Sequence, residues 1–449
     1  MGRRRRSPCP GRSQPLLRNL QKLSEVSKEF SPFKVYNYAR WRKPAAAGLR
    51  RHPSVNHYGD TSMRTPNRQH PTFCRFAPLL TAIAALALVI SLPVSAQDAP
   101  QHSKPVLVEF DAPGATTTVA PACYPFCGTN AYANNDWGEV TGYYTDASTT
   151  AHGFVRYPGG DLVSFDAPGA GSVPNAFQGT FASSINNFGA IAGYSQDSNN
   201  VFHGFIRSLF GVIITFDAPG AGNGAFQGTI VTCINPQGTT AGFYIDPNSV
   251  AHGFVRSRSG VITNFDPSTS ISTFTTVTPA TGSCLNTAGQ ITGFYVDASQ
   301  VGHSFLRDPQ GNITSFDGPG ALYTEAISIN AAGKIIGFFE DSSGLGHGFV
   351  RHPDGQFTTF DGPVSGGGNT IPSSINNNSS ISGWQFDANA VAHGFVRGRN
   401  GQFVAIDAPG AGTGPVDGTF PTMINASGAV TGIWADNNSL AHGFVWYPW

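Results

Sequence analysis

The sequence predicts an all-β fold built from a repeated four-stranded unit, and three recurring elements carry that expectation. "HGF" recurs with its His at 152, 203, 252, 303 (as "HSF"), 347, 393 and 442. "FD" recurs as often, with its Asp at 111, 166, 217, 266, 317, 361 and, as "ID", 407. An "N-x-x-G" turn has its Asn at 135, 186, 235, 286, 330, 376 (where Ser379 replaces the Gly) and 425. No helical pattern long enough to compete appears after residue 97.

The spacings divide the unit into a rigid and an elastic part. From turn Asn to the next "FD" Asp the distance is constant: Asn186 to Asp217 and Asn235 to Asp266 are both 31 residues. From "FD" Asp to the next turn Asn it ranges from 13 residues (Asp317 to Asn330) to 24 (Asp111 to Asn135). Surface loops tolerate insertion and packed strands do not, so the elastic part is a loop.

Within the rigid part, strand a ends in "IN", strand b reads "AIAGYS" or "IIGFF", strand c is "HGFVR" and strand d ends in "FD". The two motif phenylalanines lie 11 residues apart, as in Phe154 and Phe165. Pairing them leaves two residues at each hairpin tip, among them Gly159-Gly160, Ser259-Gly260, Gln310-Gly311, Asp354-Gly355 and Asn400-Gly401. Such pairs suit a two-residue type I′ turn, where both positions need φ > 0.

Seven such units predict a seven-bladed β-propeller of four-stranded antiparallel blades over residues 97–449. The chain enters this region on a d strand ("VLVEFD") and leaves on a c strand ("HGFVW"). The N-terminal strand is therefore expected to complete the last blade and close the ring, with Phe110 opposite Phe444.

The "HGF…FDAPGA" repeat with "INxxGxIxGYY" between copies resembles the HAF-type extracellular repeat family of bacterial secreted proteins. The resemblance covers residues 106 to 449, with His-Gly-Phe where the family has His-Ala-Phe. It implies export and a repeated β architecture. It brings no established activity, so no catalytic residue is carried over.

The formal neutrality of the chain hides a split. Residues 1 to 96 hold 17 Lys+Arg and 3 Asp+Glu; the remainder hold 10 and 24. The apolar run "FAPLLTAIAALALVISLPV" (76–94) follows Arg64, Arg68 and Arg75 and ends in small residues at Ser95 and Ala96. This is the pattern of a secretory signal peptide over residues 63–96, cleaved after Ala96, giving a secreted or periplasmic product. A retained membrane anchor is the rival reading. Residues 1–62 read as a disordered leader or as upstream of the true start at Met63. The acidic remainder argues against nucleic acid as a partner, and a monomer without stable membrane insertion is expected.

Cys123 and Cys127 are close enough for a small disulfide loop in an exported chain. Cys233 and Cys284, equivalent in successive units, are read as free buried thiols. No spacing resembles a zinc site, and neither metal nor cofactor is expected.

Each unit also carries an Asp six residues before its His, as in Asp146 and His152. Sevenfold repetition points to a structural brace, with the Asp forming an Asx turn. The "FD" Asp and the Arg or Trp closing strand c are read in the same way, and the paired aromatics of strand b as packing. Individuality lies in the d–a loops. There Gln178, Gln227 and Asp417 occupy matching places and are the candidate ligand-binding residues. The expected function is an exported, non-enzymatic binding or scaffold protein recognising a carbohydrate or protein on the d–a loop face, with no catalytic residue assigned. The alternative is a polysaccharide lyase or hydrolase at the channel mouth, for which Tyr323 and Glu325, expected in the shortest d–a loop, are the only local hint.

Overall fold

The computed structural model describes residues 104–125, 127–275 and 283–448. The leader and signal-peptide expectations fall outside them. The described residues are all-β, with no helix among them.

In the first unit, strand a (Thr129–Asn134), b (Val140–Thr145), c (Ala151–Arg156) and d (Leu162–Phe165) form an antiparallel meander. The same pairing repeats in the next five units. The last meander has strands a to c at Gly418–Ile424, Val430–Ala435 and Ala441–Tyr447. Its fourth strand is Val106–Phe110, antiparallel to Ala441–Tyr447. Single parallel contacts, Ala151 with Gly179, Phe202 with Gly228 and Ala392 with Gly418, join some neighbours. The hydrogen-bonded sheets are thus one of twelve strands, one of eight and two of four.

The hairpin register departs from expectation by one residue, the same step in every copy. Phe165 lies opposite Gly153, and Phe110 opposite Gly443. The c–d connection is therefore a three-residue loop closed by Tyr157 N–H to Asp161 O at 2.8 Å, with Gly160 alone at φ 98°. A three-residue loop ends in a left-handed glycine that forms a bulge, which is why the second tip residue is always Gly and the first varies. The shift also explains the glycine of "HGF". A Cβ at Gly153 would stand 2.7 Å from Cε2 of Phe165, whose ring covers the site.

The core lies within and between units. The "HGF" phenylalanine (Phe154, Phe205, Phe254, Phe305, Phe349, Phe395 and Phe444) is fully buried in every copy. The "FD" phenylalanine of the preceding unit meets it edge-on, Phe165 to Phe205 at 6.1 Å and Phe216 to Phe254 at 6.2 Å between centroids. The paired aromatics of strand b pack across the seams as well, Tyr143 against Phe181 and Phe243 against Phe274. Such edge-to-face pairs add about 0.5–1.5 kcal/mol each beyond the area they bury.

The cysteines differ in part from expectation. Cys123 and Cys127 are disulfide-bonded, with Cα atoms 5.0 Å apart. Cys233 and Cys284, read as free thiols, are also joined, their Cα atoms 6.0 Å apart. Positions two residues before the turn Asn of consecutive units come within bridging distance only because the units pack side by side, which spacing alone does not reveal.

Candidate functional site

Strands alternate in direction, so each unit has two unlike ends. The a–b and c–d turns share one; the b–c and d–a loops share the other. All Lys and Arg from residue 104 onward sit at the turn end: Lys104, Arg258, Lys334, Arg399 and the six arginines that close strand c. The loop end carries the repeated aspartates and histidines. One end is thus rich in cations and the other in carboxylates, which overall composition conceals.

At the loop end, two motifs that look separate in sequence form one device. His152 Nδ1 lies 2.9 Å from Asp166, and its Nε2 lies 3.6 Å from Asp146. Asp146 Oδ1 accepts the N–H groups of Ser148 and Thr150 at 2.8 Å each, closing the b–c loop. The histidine thereby ties that loop to the end of strand d. The arrangement recurs at His203, His252, His303, His347 and His393, each between two aspartates. In the last unit His442 takes Asp111 from the N-terminal strand, at 3.0 Å. Hydrogen bonding to Asp166 holds the His152 imidazole above its usual pKa. At His347 burial acts downward, and Asp361 and Asp341 outweigh it. No group of three or more His, Cys, Asp or Glu fit to hold a metal occurs among the described residues.

The candidate loop residues are bound into their own loops. Gln178 is 2% exposed; its Oε1 accepts Val173 N–H and its Nε2 donates to Asn200 Oδ1 at 2.9 Å. Gln227 Oε1 accepts Gly224 N–H at 2.9 Å, and its Nε2 donates to Pro247 O at 3.1 Å. Asp417 accepts the Ser439 hydroxyl at 2.9 Å, and burial raises its pKa. All three fasten a d–a loop to the following b–c loop, so they shape this end of the molecule.

Tyr323 and Glu325 lie on strand a (Tyr323–Ile329) and not in the d–a loop, because this shortest loop ends at Leu322; they share one face, and Tyr323 Oη lies 2.9 Å from Glu325 Oε2. Glu325 is 1% exposed, and burial pushes its carboxyl up to about 8. Half-buried Glu340, opposite Tyr323, is also raised by burial and adds to the shift on Glu325. Equivalent positions in the other a strands hold Asn130, Phe181, Ile230, Phe274, Ile371 and Phe420. A carboxyl at a position that is apolar in five of the six others is a local departure that repeat counting reveals only as an odd residue.

The turn end holds two features that motif reading did not find. The first is a chain of asparagines. Asn135 Nδ2 donates to Asn186 O at 3.2 Å, Asn186 to Asn235 O at 3.0 Å, and Asn235 to Asn286 O at 3.2 Å. Asn286 continues to Asn330 O, Asn330 to Asn376 O, Asn376 to Asn425 O, and Asn425 to Asn135 O at 2.9 Å. The second is a group of exposed aromatics in the first two units: Trp137, Phe188 and Phe210, at 65%, 70% and 90% exposure.

No protein-family model and no curated protein matches the sequence. Among solved structures, a lectin of Burkholderia pseudomallei aligns at 10% identity and TM-score 0.43, over 69% of this chain and 94% of that one. TolB of Acinetobacter baumannii aligns at 9% and 0.37, over 68% and 78%. A puromycin hydrolase aligns at 12% and 0.48, over 72% of this chain and 53% of its own. Likenesses of this degree carry no argument about ligand or activity.

Proposed function

We propose that this chain is an exported seven-bladed β-propeller of the HAF-repeat kind, closed by its N-terminal strand, that binds a carbohydrate or a protein on its d–a loop face. The observation that carries the reading is the contrast at the loop end. A histidine bonded to the Asp that ends strand d in every unit, and also to the b–c loop Asp in six of the seven, recurs beneath loops that alone vary in length, as a rigid frame displays variable recognition segments. Closure is supported by the asparagine chain returning from Asn425 to Asn135 and by the pairing of Val106–Phe110 with Ala441–Tyr447. Gln178, Gln227 and Asp417 act as positioning residues that hold the loops in shape. Cleavage after Ala96 releases the protein to the periplasm or the medium.

The test is a thermal-shift screen of the exported protein against glycans, with Gln178→Ala and Asp417→Ala beside the wild type. A ligand at 100 times its Kd adds about 2.7 kcal/mol to stability. Wild-type stabilisation by a glycan that both variants weaken supports the reading; stabilisation that neither variant alters removes it.

A second reading rests on Glu325. A carboxyl with a pKa of about 8 stays protonated at neutral pH and suits a general acid, so the same loop end would hydrolyse or eliminate polysaccharide. Turnover of a glycan that Glu325→Gln abolishes, with binding retained, would favour the enzyme.

A further inference from the structure

We propose that the a–b and c–d turns of the first two units form a platform for a neutral carbohydrate chain, at the end of the molecule opposite the d–a loops. The inference goes beyond the reading above and shares with it only a ligand class, so either can fail alone.

The starting point is three aromatic rings that folding does not require. The a–b turn needs its Asn, whose Oδ1 accepts the N–H groups two and four residues on, as Asn186 does from Phe188 and Ala190. It also needs a residue able to adopt positive φ, as Gly189 does at 70°. The residue between them is free. It is Trp137 and Phe188 in the first two units, but Gln237, Ala288, Ala332, Asn378 and Ser427 in the others. In the c–d turns, the equivalents of Phe210 are Gly159, Ser259, Gln310, Asp354 and Asn400. The rings therefore fall on adjacent units, although nothing in the repeat puts them there.

They are also held together. Trp137 Nε1 donates to Asn187 O at 2.8 Å, which fixes the indole beside the turn carrying Phe188. Asp136 N–H donates to Asn187 Oδ1 at 3.0 Å, and Asn187 Nδ2 to Asp136 Oδ2 at 2.6 Å, locking the two turns to each other. Gly189 lies against the turn carrying Phe210: a Cβ there would stand 2.9 Å from Leu209 Cδ1 and 3.4 Å from Glu139 Oε2. Exposed rings on turns locked to one another, one of them a fixed indole, are what a binding surface offers, since little backbone ordering entropy is lost on contact.

Charge selects the occupant. The exposed ionic groups of these turns are Asp136 and Asp161, with half-buried Glu139 beside them. Arg156 and Arg207 end nearby but are covered, each stacked on a phenylalanine ring. These four turns therefore offer anionic lipid headgroups and acidic glycans no accessible counter-charge of their own, and a second copy would bring the same carboxylates against them. The nearest exposed arginine in this direction, Arg258, belongs to the third unit. A neutral glycan matches the platform: pyranose C–H faces lie on the rings while hydroxyl groups donate to the carboxylates between them.

The test uses protein expressed from the full sequence and immobilised cellulose, xylan, mannan, amylose and β-1,3-glucan. The readouts are binding by depletion and acrylamide quenching of the Trp137 share of the emission, taken as the difference between the wild type and Trp137→Phe, since the sequence holds five other tryptophans. At least one polysaccharide should bind and protect the emission. Trp137→Ala, Phe188→Ala and Phe210→Ala should each weaken binding about tenfold, at unchanged melting temperature, while Val261→Ala at the same end of the third unit leaves it intact. The inference is overturned if no polysaccharide in the panel binds, or if binding survives the triple truncation. It is equally overturned if the triple variant instead loses association with phosphatidylcholine–phosphatidylglycerol vesicles or with itself.

Discussion

The guanidinium of Arg156 lies over the ring of Phe110, 4.8 Å from its centroid, and so joins the first unit to the N-terminal strand. The same contact recurs at the next five seams, as Arg207 over Phe165 at 4.8 Å and Arg256 over Phe216 at 4.6 Å show. Burial lowers the pKa of Arg256, Arg307, Arg351 and Arg397. For Arg207, Arg307, Arg351 and Arg397, Nε is buried without a hydrogen-bond partner, so the ring face takes the place of an acceptor. At the remaining seam both members change together. Trp446 replaces the arginine, Ile406 replaces the phenylalanine, and the two share one apolar cluster.

That paired exchange gives a direct prediction. Arg207→Ala should destabilise by about 2 kcal/mol, the upper range for a desolvated cation over an aromatic ring. Arg207→Trp combined with Phe165→Ile should lose less than the sum of the two single changes. A double-mutant cycle from denaturant unfolding measures the coupling. Additive losses would show that the two residues do not act as a pair.

The asparagine chain predicts a second effect. Asn186 Nδ2 donates across a seam to Asn235 O, while its Oδ1 accepts two turn N–H groups. Asn186→Ala leaves these groups buried and unpaired, at a cost of about 1–3 kcal/mol. Asn186→Asp keeps the turn acceptor but loses the cross-seam donor and sets a carboxylate against a carbonyl oxygen. It should destabilise at neutral pH and recover as pH falls below about 4, where the acid regains a proton to donate. Equal loss at both pH values would show that the protonated acid does not restore the cross-seam bond.

Which of these features could be read from sequence follows from what repeats and what varies. The unit, its four strands and its elastic loop were legible because six copies hold Asn186 and Asp217, or their equivalents, at one spacing. The hairpin register was not. A two-residue and a three-residue loop both place glycine at the tip, and only the ring of Phe165 over Gly153 separates them. The union of Asp146, His152 and Asp166 was hidden because the two aspartates flank the histidine at unequal distances, six residues before and fourteen after. Trp137, Phe188 and Phe210 lie outside the repeat's motifs, in turns whose length never varies, so neither motif nor loop length marks them.

Titration of the clamps predicts the pH dependence of stability. The folded-state pKa of His152 lies above its ordinary 6.5, so its contribution is present below that value and is lost as pH rises through the higher one. Glu325, raised from 4.5 to about 8, acts in the same direction, because ionising it in the folded state becomes costly across that interval. Asp297 and Asp341 are held below 3.8, chiefly by the Val301 N–H on Asp297 and the Ser343 hydroxyl on Asp341, so their contributions are lost only in stronger acid. Stability should therefore be greatest near pH 4, decline from about pH 4.5 as Glu325 ionises, and fall further above about pH 6.5 as His152 loses its proton. His152→Gln and Glu325→Gln should each flatten the decline when melting temperature is scanned against pH. A wild-type curve that rises from pH 6 to 8 would contradict the assignment.

The last prediction concerns the one a–b turn without a glycine. Ser379 adopts φ 63° where Gly138, Gly189, Gly238, Gly289, Gly333 and Gly428 occupy the other turns at φ 70–87°. A side chain in the left-handed region strains against the following carbonyl, whereas glycine adopts it freely. Ser379 has one compensation, a 3.1 Å bond from Lys334 Nζ across the seam, which a partly exposed ammonium exchanges for water at little cost. Ser379→Gly should therefore stabilise by about 0.5–1 kcal/mol, the strain relieved less the extra freedom that glycine gives the unfolded chain. Chemical denaturation of the two proteins decides it. A loss of stability would mean that the bond to Lys334 outweighs the backbone strain, and Lys334→Met in the serine background should then reproduce that loss.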